Sequence, residues 1–249
     1  MTKHKIIISI INLVFILALS VCASAAAAGE KYIFILSSLA NPYWQTVKHG
    51  IEDGGKEADI KLTVLSATSD LTNEENLNLC QSAISQNPSI IVLCPTTTAV
   101  GLQCLHEAQS KGIKVAVLDA TISVEQAKKA GVNLSFSVGT DNVKVGAKAA
   151  DLVPASCQNT APKILILEGI AGSLNSANRV RGFKEELVRV SPHAKIISSI
   201  SADWDRLRAL NITADTLTRT PDLNVVFAAN DVMALGAVEA VRAAKKTIK

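Results

Sequence analysis

The feature that most constrains this chain is its alternation of short apolar runs with helical patterns, sustained from residue 31 to residue 246. The runs at residues 31–37, 60–66, 89–94, 114–119 and 133–138 read as buried strands, and so do those at 163–168, 195–200 and 223–228. Helical patterns fill the intervals at residues 41–58, 73–86, 99–111, 124–130, 141–153, 175–190, 203–219 and 231–246. Uninterrupted apolar strands joined by helices call for parallel sheets covered on both faces, because each crossover carries its helix over a sheet face. The expected fold class is therefore α/β, with doubly wound parallel sheets. Five strands precede Gly139 and three follow it, which fits two lobes better than one sheet of eight. Residues 30–138 form the expected N-terminal lobe and residues 139–249 the expected C-terminal lobe, with residues 154–162 a loop inside the second.

Residues 1–28 read as a cleaved export signal. Lys3, His4 and Lys5 form a basic start, an apolar run follows to Val21, and Ala23, Ser24 and Ala25 supply the small residues that signal peptidase accepts. The expected location is the periplasm. Lipid attachment at Cys22 is the alternative, since Leu19, Ser20 and Val21 precede it much as in a lipobox. Without Lys3 and Lys5 the formal charge of +3 falls to +1, so the body has no electrostatic footprint for nucleic acid. Four cysteines remain beyond the leader, none two residues apart. They read as buried free thiols, with a bridge among Cys80, Cys94 and Cys104 the other reading.

Ligands of open parallel sheets bind outside the carboxyl ends of the strands. At those positions stand Ser37, Asn41, Tyr43 and Trp44, then Asp119, then Asn175, Asn178 and Arg179, then Trp204, then Asn230. This set suits a sugar. Carboxylates and amides match hydroxyls, arginine offers a rigid fork of donors, and aromatic faces cover the C–H faces of a pyranose. Each residue also has a plainer reading. Asn41, Asp203 and Asn230 fall where helix N-caps belong, Tyr43 and Trp44 could be core, Asp119 could cap a turn, and Arg179 and Arg181 could line a solvated face. Catalytic signatures are absent: there is no nucleophile elbow, no zinc-protease motif and no phosphate-binding glycine loop. The histidines are scattered, and no cofactor is called for. The chain reads as a binding protein and not an enzyme.

Several stretches, taken in order, resemble the periplasmic sugar-binding proteins of ABC transporters in their ribose/allose/galactose-type branch. These are Asn41-Pro-Tyr-Trp44, Thr140-Asp-Asn142 with Gly146-Ala-Lys148, Glu168-Gly-Ile-Ala-Gly172, Arg179-Val-Arg-Gly-Phe183, Ser201-Ala-Asp-Trp-Asp-Arg206 and the run from Phe227 to Gly236. The resemblance implies a type I periplasmic binding protein fold and a monosaccharide of D-allose or D-ribose type held between two lobes. It implies a monomer that docks on a permease of the inner membrane, with a chemoreceptor as a further partner. By position, the family's sugar contacts fall on Ser37, Asn41, Tyr43, Trp44, Asp119, Arg179, Trp204 and Asn230. Tyr43, Trp44 and Trp204 would clamp the ring, while Asn41, Asp119, Arg179 and Asn230 would bind hydroxyls. Ala120 stands where ribose binders have arginine, and Ser37 where allose binders have lysine, so the sugar itself stays open. Family members also continue with further strands beyond the point where this sequence stops, so the fold is expected to be incomplete at the C-terminus. The alternative is the effector-binding core of a lac-repressor-like regulator, or a sugar sensor without a transport role; the apolar leader argues against the regulator.

Overall fold

The computed structural model describes residues 30–68, 73–119, 122–157, 161–246 and 248. Residues 1–29, on which the expected export signal and Cys22 fall, and Ala120 lie outside the described residues. Five strands, β1 (Tyr32–Leu36), β2 (Leu62–Ser66), β3 (Ile90–Leu93), β4 (Lys114–Leu118) and β5 (Leu134–Val138), form one parallel sheet in the order β2-β1-β3-β4-β5. Three more, β6 (Lys163–Glu168), β7 (Lys195–Ser201) and β8 (Val225–Ala228), form a second in the order β7-β6-β8. All eight strand expectations correspond to observed strands within about two residues at each end.

The helices are α1 (Pro42–Glu57), α2 (Asn73–Ser85), α3 (Thr98–Ser110), α4 (Val124–Lys129), α5 (Asn142–Ala150), α6 (Val153–Ser156), α7 (Leu174–Val190), α8 (Arg206–Arg219) and α9 (Asp231–Ala243). The inner strands, such as β3 and β6, are apolar on both faces, which is why helices cover both. On one face of the first sheet, Ile33, Ile35, Ile91, Leu93, Val115 and Val117 pack with Ala83 of α2 and Leu105 and Ala108 of α3. On its other face, Trp44 of α1 packs with Leu36 and Cys94. Strand β6 divides its side chains in the same way. Ile164 and Ile166 meet Val180, Phe183 and Leu187 of α7, while Leu165 and Leu167 meet Ala209 of α8 and Met233 and Ala237 of α9. Each fully buried Leu, Ile or Phe in these layers contributes about 1.5–3 kcal/mol.

Three expectations are corrected, and one plainer reading, of Arg179, is set aside. Cys80 and Cys104 are not free thiols but a disulfide that ties α2 to α3, because both point into the same helix–sheet layer with their Cα atoms 5.9 Å apart. Helix α8 starts at Arg206 and not at Asp203, and its N-cap is Asp205, which accepts from the Arg208 amide at 2.7 Å. Asp203 and Trp204 take left-handed backbone angles (φ 51° and 64°), which a helix start excludes. The stretch at residues 154–162 is not loop throughout, since α6 occupies its start and α5 ends earlier than expected, at Ala150. Arg179 is partly buried and doubly hydrogen-bonded rather than part of a solvated face.

Helices α5 and α7 approach so closely that a Cβ on Gly146 would lie 1.9 Å from the Arg179 carbonyl oxygen. Only glycine permits this contact. It brings the start of α5 against the first turns of α7, where Asn175 and Arg179 stand.

Candidate functional site

In an order such as β2-β1-β3-β4-β5, the chain leaves β1 and β3 in opposite directions and opens a crevice at their carboxyl ends. The second sheet has its own switch point between β6 and β8. A cavity of about 470 Å³ lies between these two edges. That volume falls in the usual range for small-ligand sites, roughly 300–1,000 Å³. All eight residues singled out from the sequence line it: Ser37, Asn41, Tyr43, Trp44, Asp119, Arg179, Trp204 and Asn230.

Each is held by local structure. Asn41 caps α1, its Oδ1 accepting from the Tyr43 amide at 2.9 Å, and Pro42 follows with its fixed φ. Asn230 caps α9 in the same manner, accepting from the Met233 amide at 2.8 Å. Asn41 and Asn230 thus cap their helices and also line the cavity. Each cap engages the amide oxygen with the helix, while the NH₂ group remains a donor. Ser37 is the buried residue directly after β1. Trp44 is 9% exposed and belongs to the core as well as the cavity wall, while Tyr43, at 47%, stands edge-on to it with ring centroids 4.9 Å apart.

Trp204 is delivered by the left-handed pair after β7. Asp203 is fixed there by an ion pair with Arg208 and by its amide, which donates to Ser201 Oγ at 3.3 Å. The indole lies flat against the backbone of Gly169, where a Cβ would meet indole carbons at 2.2–2.4 Å.

The polar groups form one connected set. Arg179 donates from Nε to Asn142 Oδ1 at 2.7 Å and from Nη1 to the Ala229 carbonyl at 2.7 Å. Asn142 donates to Asn175 Oδ1 at 2.8 Å, and Asn175 donates to Asp119 Oδ2 at 2.5 Å. The Tyr43 hydroxyl donates to the other oxygen, Asp119 Oδ1, at 3.2 Å. Burial pushes the Asp119 carboxyl above its ordinary value, against the pull of the Tyr43 hydroxyl, Arg179 and Asn175. Burial and the neighbouring Asp119 push the Tyr43 phenol up to about 12. Burial also raises the Cys94 thiol well above the ordinary range, with Asp119 adding to it. A half-buried carboxylate, an anchored guanidinium, two amide donors and three aromatic rings around one small cavity can bind a neutral polyol. Nothing in the set provides a nucleophile paired with a base.

Two members escaped the sequence reading as site residues. Asn175 stands among the strand-end residues but was not assigned a contact, and Asn142 carried only its place in the Thr140-Asp-Asn142 motif. Their role depends on the α5–α7 approach, which is a tertiary fact.

The fold and the cleft define a two-lobed ligand-binding protein. The chain belongs to the periplasmic binding protein domain family, which matches residues 32–249. It is 34% identical over 227 residues to the D-allose-binding periplasmic protein of Escherichia coli K12, covering 91% of this chain and 73% of that protein. It is 32% identical over 231 residues to the ribose import binding protein RbsB of Haemophilus influenzae, covering 91% and 73% respectively. Among solved structures it superposes on an ABC transporter periplasmic solute-binding protein from Actinobacillus succinogenes with bound D-allose. The TM-score is 0.77 at 31% identity, over 87% of this chain and 74% of that one.

Proposed function

We propose that this protein is the periplasmic receptor of an ABC importer, capturing an aldose of D-allose or D-ribose type between two lobes, residues 30–138 and 139–249. The observation that carries this reading is the cavity between the two sheet edges. Tyr43, Trp44 and Trp204 supply ring faces there, and Asp119, Arg179, Asn41 and Asn230 supply fixed hydrogen-bonding groups. The relatives that share the family are named for allose and ribose, which supports the same ligand class. In this reading the aromatic rings cover the C–H faces of the sugar and exclude water, so that each hydroxyl bond forms in a low-dielectric site. Arg179 arrives already oriented by Asn142 and the Ala229 carbonyl, so binding does not have to order it. Residues 1–28 serve as the cleaved export signal, and the sugar-loaded form docks on a permease of the inner membrane.

The test is a calorimetric panel of D-allose, D-ribose, D-galactose, L-leucine and a dipeptide against the full chain. Saturable binding to at least one aldose and to neither amino compound is the expected result. Binding to leucine or the dipeptide with no aldose response would overturn the reading.

A further inference from the structure

Tyr43 enters the site as an aromatic ring, yet the end of that ring carries chemistry of its own. The residue is held at its backbone, its ring and its hydroxyl. Its amide donates to Asn41 Oδ1 at 2.9 Å, which fixes the chain at the opening of α1. Its ring stands edge-on to Trp44, which is itself packed into the core. Its hydroxyl reaches the end of β4 and donates to Asp119 Oδ1 at 3.2 Å. These partners all belong to the first sheet and its helix α1, so the arrangement is built within one lobe.

The bond to Asp119 decides what the hydroxyl can do next. A phenol has one proton to give. Burial and the neighbouring Asp119 hold that phenol up to about 12, so it keeps its proton at neutral pH. An ionised carboxylate has no proton to offer in return, so the Tyr43 proton is committed to Asp119. What Oη has left is lone pairs. The carboxylate is in the same condition. Oδ1 takes the Tyr43 proton, Oδ2 takes the Asn175 amide, and each oxygen keeps a further lone pair. The cavity wall therefore carries two neighbouring acceptors, Tyr43 Oη and Asp119 Oδ1, 3.2 Å apart. Gauche hydroxyls on adjacent carbons of a sugar hold their oxygens at a comparable spacing. A hydroxyl that donates to Oη also extends a chain from ligand to Tyr43 to Asp119, and each link of such a chain polarises the next.

We propose that Tyr43 is a specificity-determining contact as well as a covering ring: its hydroxyl oxygen accepts from one ligand hydroxyl while Asp119 accepts from the hydroxyl on the adjacent carbon, so the site selects a vicinal diol at this point. The inference rests on the sugar-receptor reading above. An ether, a deoxygenated carbon or a trans-diaxial pair leaves one acceptor unmatched, in a half-buried place where an unmatched polar group is costly.

The test is a set of thermodynamic cycles, measured by calorimetry on the full chain. D-allose, D-ribose and D-galactose are compared with their monodeoxy derivatives in the parent, in Tyr43→Phe and in Asp119→Asn. Tyr43→Phe keeps the ring and removes only the oxygen. It should weaken the preferred aldose about three- to tenfold, the worth of one neutral hydrogen bond. Deoxygenation at one particular carbon should cost the parent a similar factor and cost Tyr43→Phe at most about twofold, because hydroxyl and acceptor are then lost together. Asp119→Asn should shrink the cost of deoxygenation at a neighbouring carbon in the same way. A Tyr43 hydroxyl that only braces Asp119 would weaken every sugar by one common factor and leave each deoxygenation cost unchanged.

Equal deoxygenation costs in the parent and in Tyr43→Phe at every carbon overturn the inference. So do partners of Tyr43 and Asp119 that fall on carbons that are not adjacent. Tighter binding of the intact aldose by Tyr43→Phe overturns it as well, since the hydroxyl would then compete with the ligand for the carboxylate. Where Asp119→Asn binds too weakly to measure, the Tyr43→Phe cycle decides alone. In all of these cases the parent still binds an aldose and the sugar reading stands. A parent that binds none of the aldoses refutes the sugar reading itself, and this inference with it.

Discussion

Replacing Gly169 with alanine places one methyl group where the Trp204 indole already lies. The added carbon would sit 2.2 Å from Cζ2, 2.3 Å from Cε2 and 2.4 Å from Cη2 of the ring. Carbon atoms rest at about 3.5–4.0 Å, so the indole must withdraw by more than about 1 Å. The backbone cannot yield instead. The Gly169 amide donates to Ser176 Oγ at 2.8 Å, and its carbonyl accepts from the Ser201 hydroxyl at 2.7 Å. The turn that carries Trp204 is held too, by the Asp205 amide on the Ala202 carbonyl at 2.8 Å. The ring therefore swings off its seat, and the sugar loses one of its covering faces. Losing most of one aromatic contact is worth about 1–3 kcal/mol, or roughly a 5- to 150-fold rise in Kd. Calorimetry with the preferred aldose measures this directly, and tryptophan fluorescence reports the displaced ring. The double variant Gly169→Ala/Trp204→Ala should bind no worse than Trp204→Ala alone, because both substitutions remove the same contact. Binding by Gly169→Ala within twofold of the parent, with unchanged fluorescence, would refute the account of Trp204 as a ring held in place by Gly169.

Three other outcomes are expected. Arg179→Lys should weaken aldose binding tenfold or more by calorimetry, because an ammonium cannot reproduce the fork that reaches both Asn142 and the Ala229 carbonyl; equal affinity would contradict it. Cys80→Ala/Cys104→Ala should lower unfolding stability by about 2–4 kcal/mol in denaturant titrations, since the bridge closes a segment with a sequence separation of 24; dithiothreitol should lower the parent and leave the variant unmoved. Asp119 has its carboxyl raised by burial, so its contribution to folding is present in acid and lost as pH rises through the folded-state value. Asp119→Asn should therefore melt above the parent at pH 7, with the gap closing as pH falls toward 4, while aldose binding weakens at every pH.

The inner strands were legible because they are buried on both faces, so that Ile90–Leu93 and the four residues between Lys163 and Glu168 carry no polar residue to blur them. The caps at Asn41 and Asn230 were legible because capping is local chemistry over three residues. The turn at Asp203 and Trp204 was not, since neither is a glycine and a left-handed pair is sustained there by Ser201 and Arg208 from outside the turn. The disulfide was hidden for a related reason. Spacing alone ranked no pairing among Cys80, Cys94 and Cys104, and the choice followed from α2 and α3 lying side by side while Cys94 faces the other side of the sheet. Asn142 and Asn175 are 33 residues apart and meet only because Gly146 lets two helices touch.

The two capping asparagines have a consequence for what the cleft rejects. Each has one lone pair of its oxygen committed to a helix amide, while its NH₂ group carries two donors. The openings of α1 and α9 therefore favour groups that bring lone pairs, at helix ends where the aligned peptide dipoles add positive potential. A hydroxyl can turn its lone pairs toward such a donor. A protonated amine has none to offer and meets a like-signed field there. A cleft with these two helix openings on its wall should hold a neutral polyol more tightly than the amino sugar of the same shape.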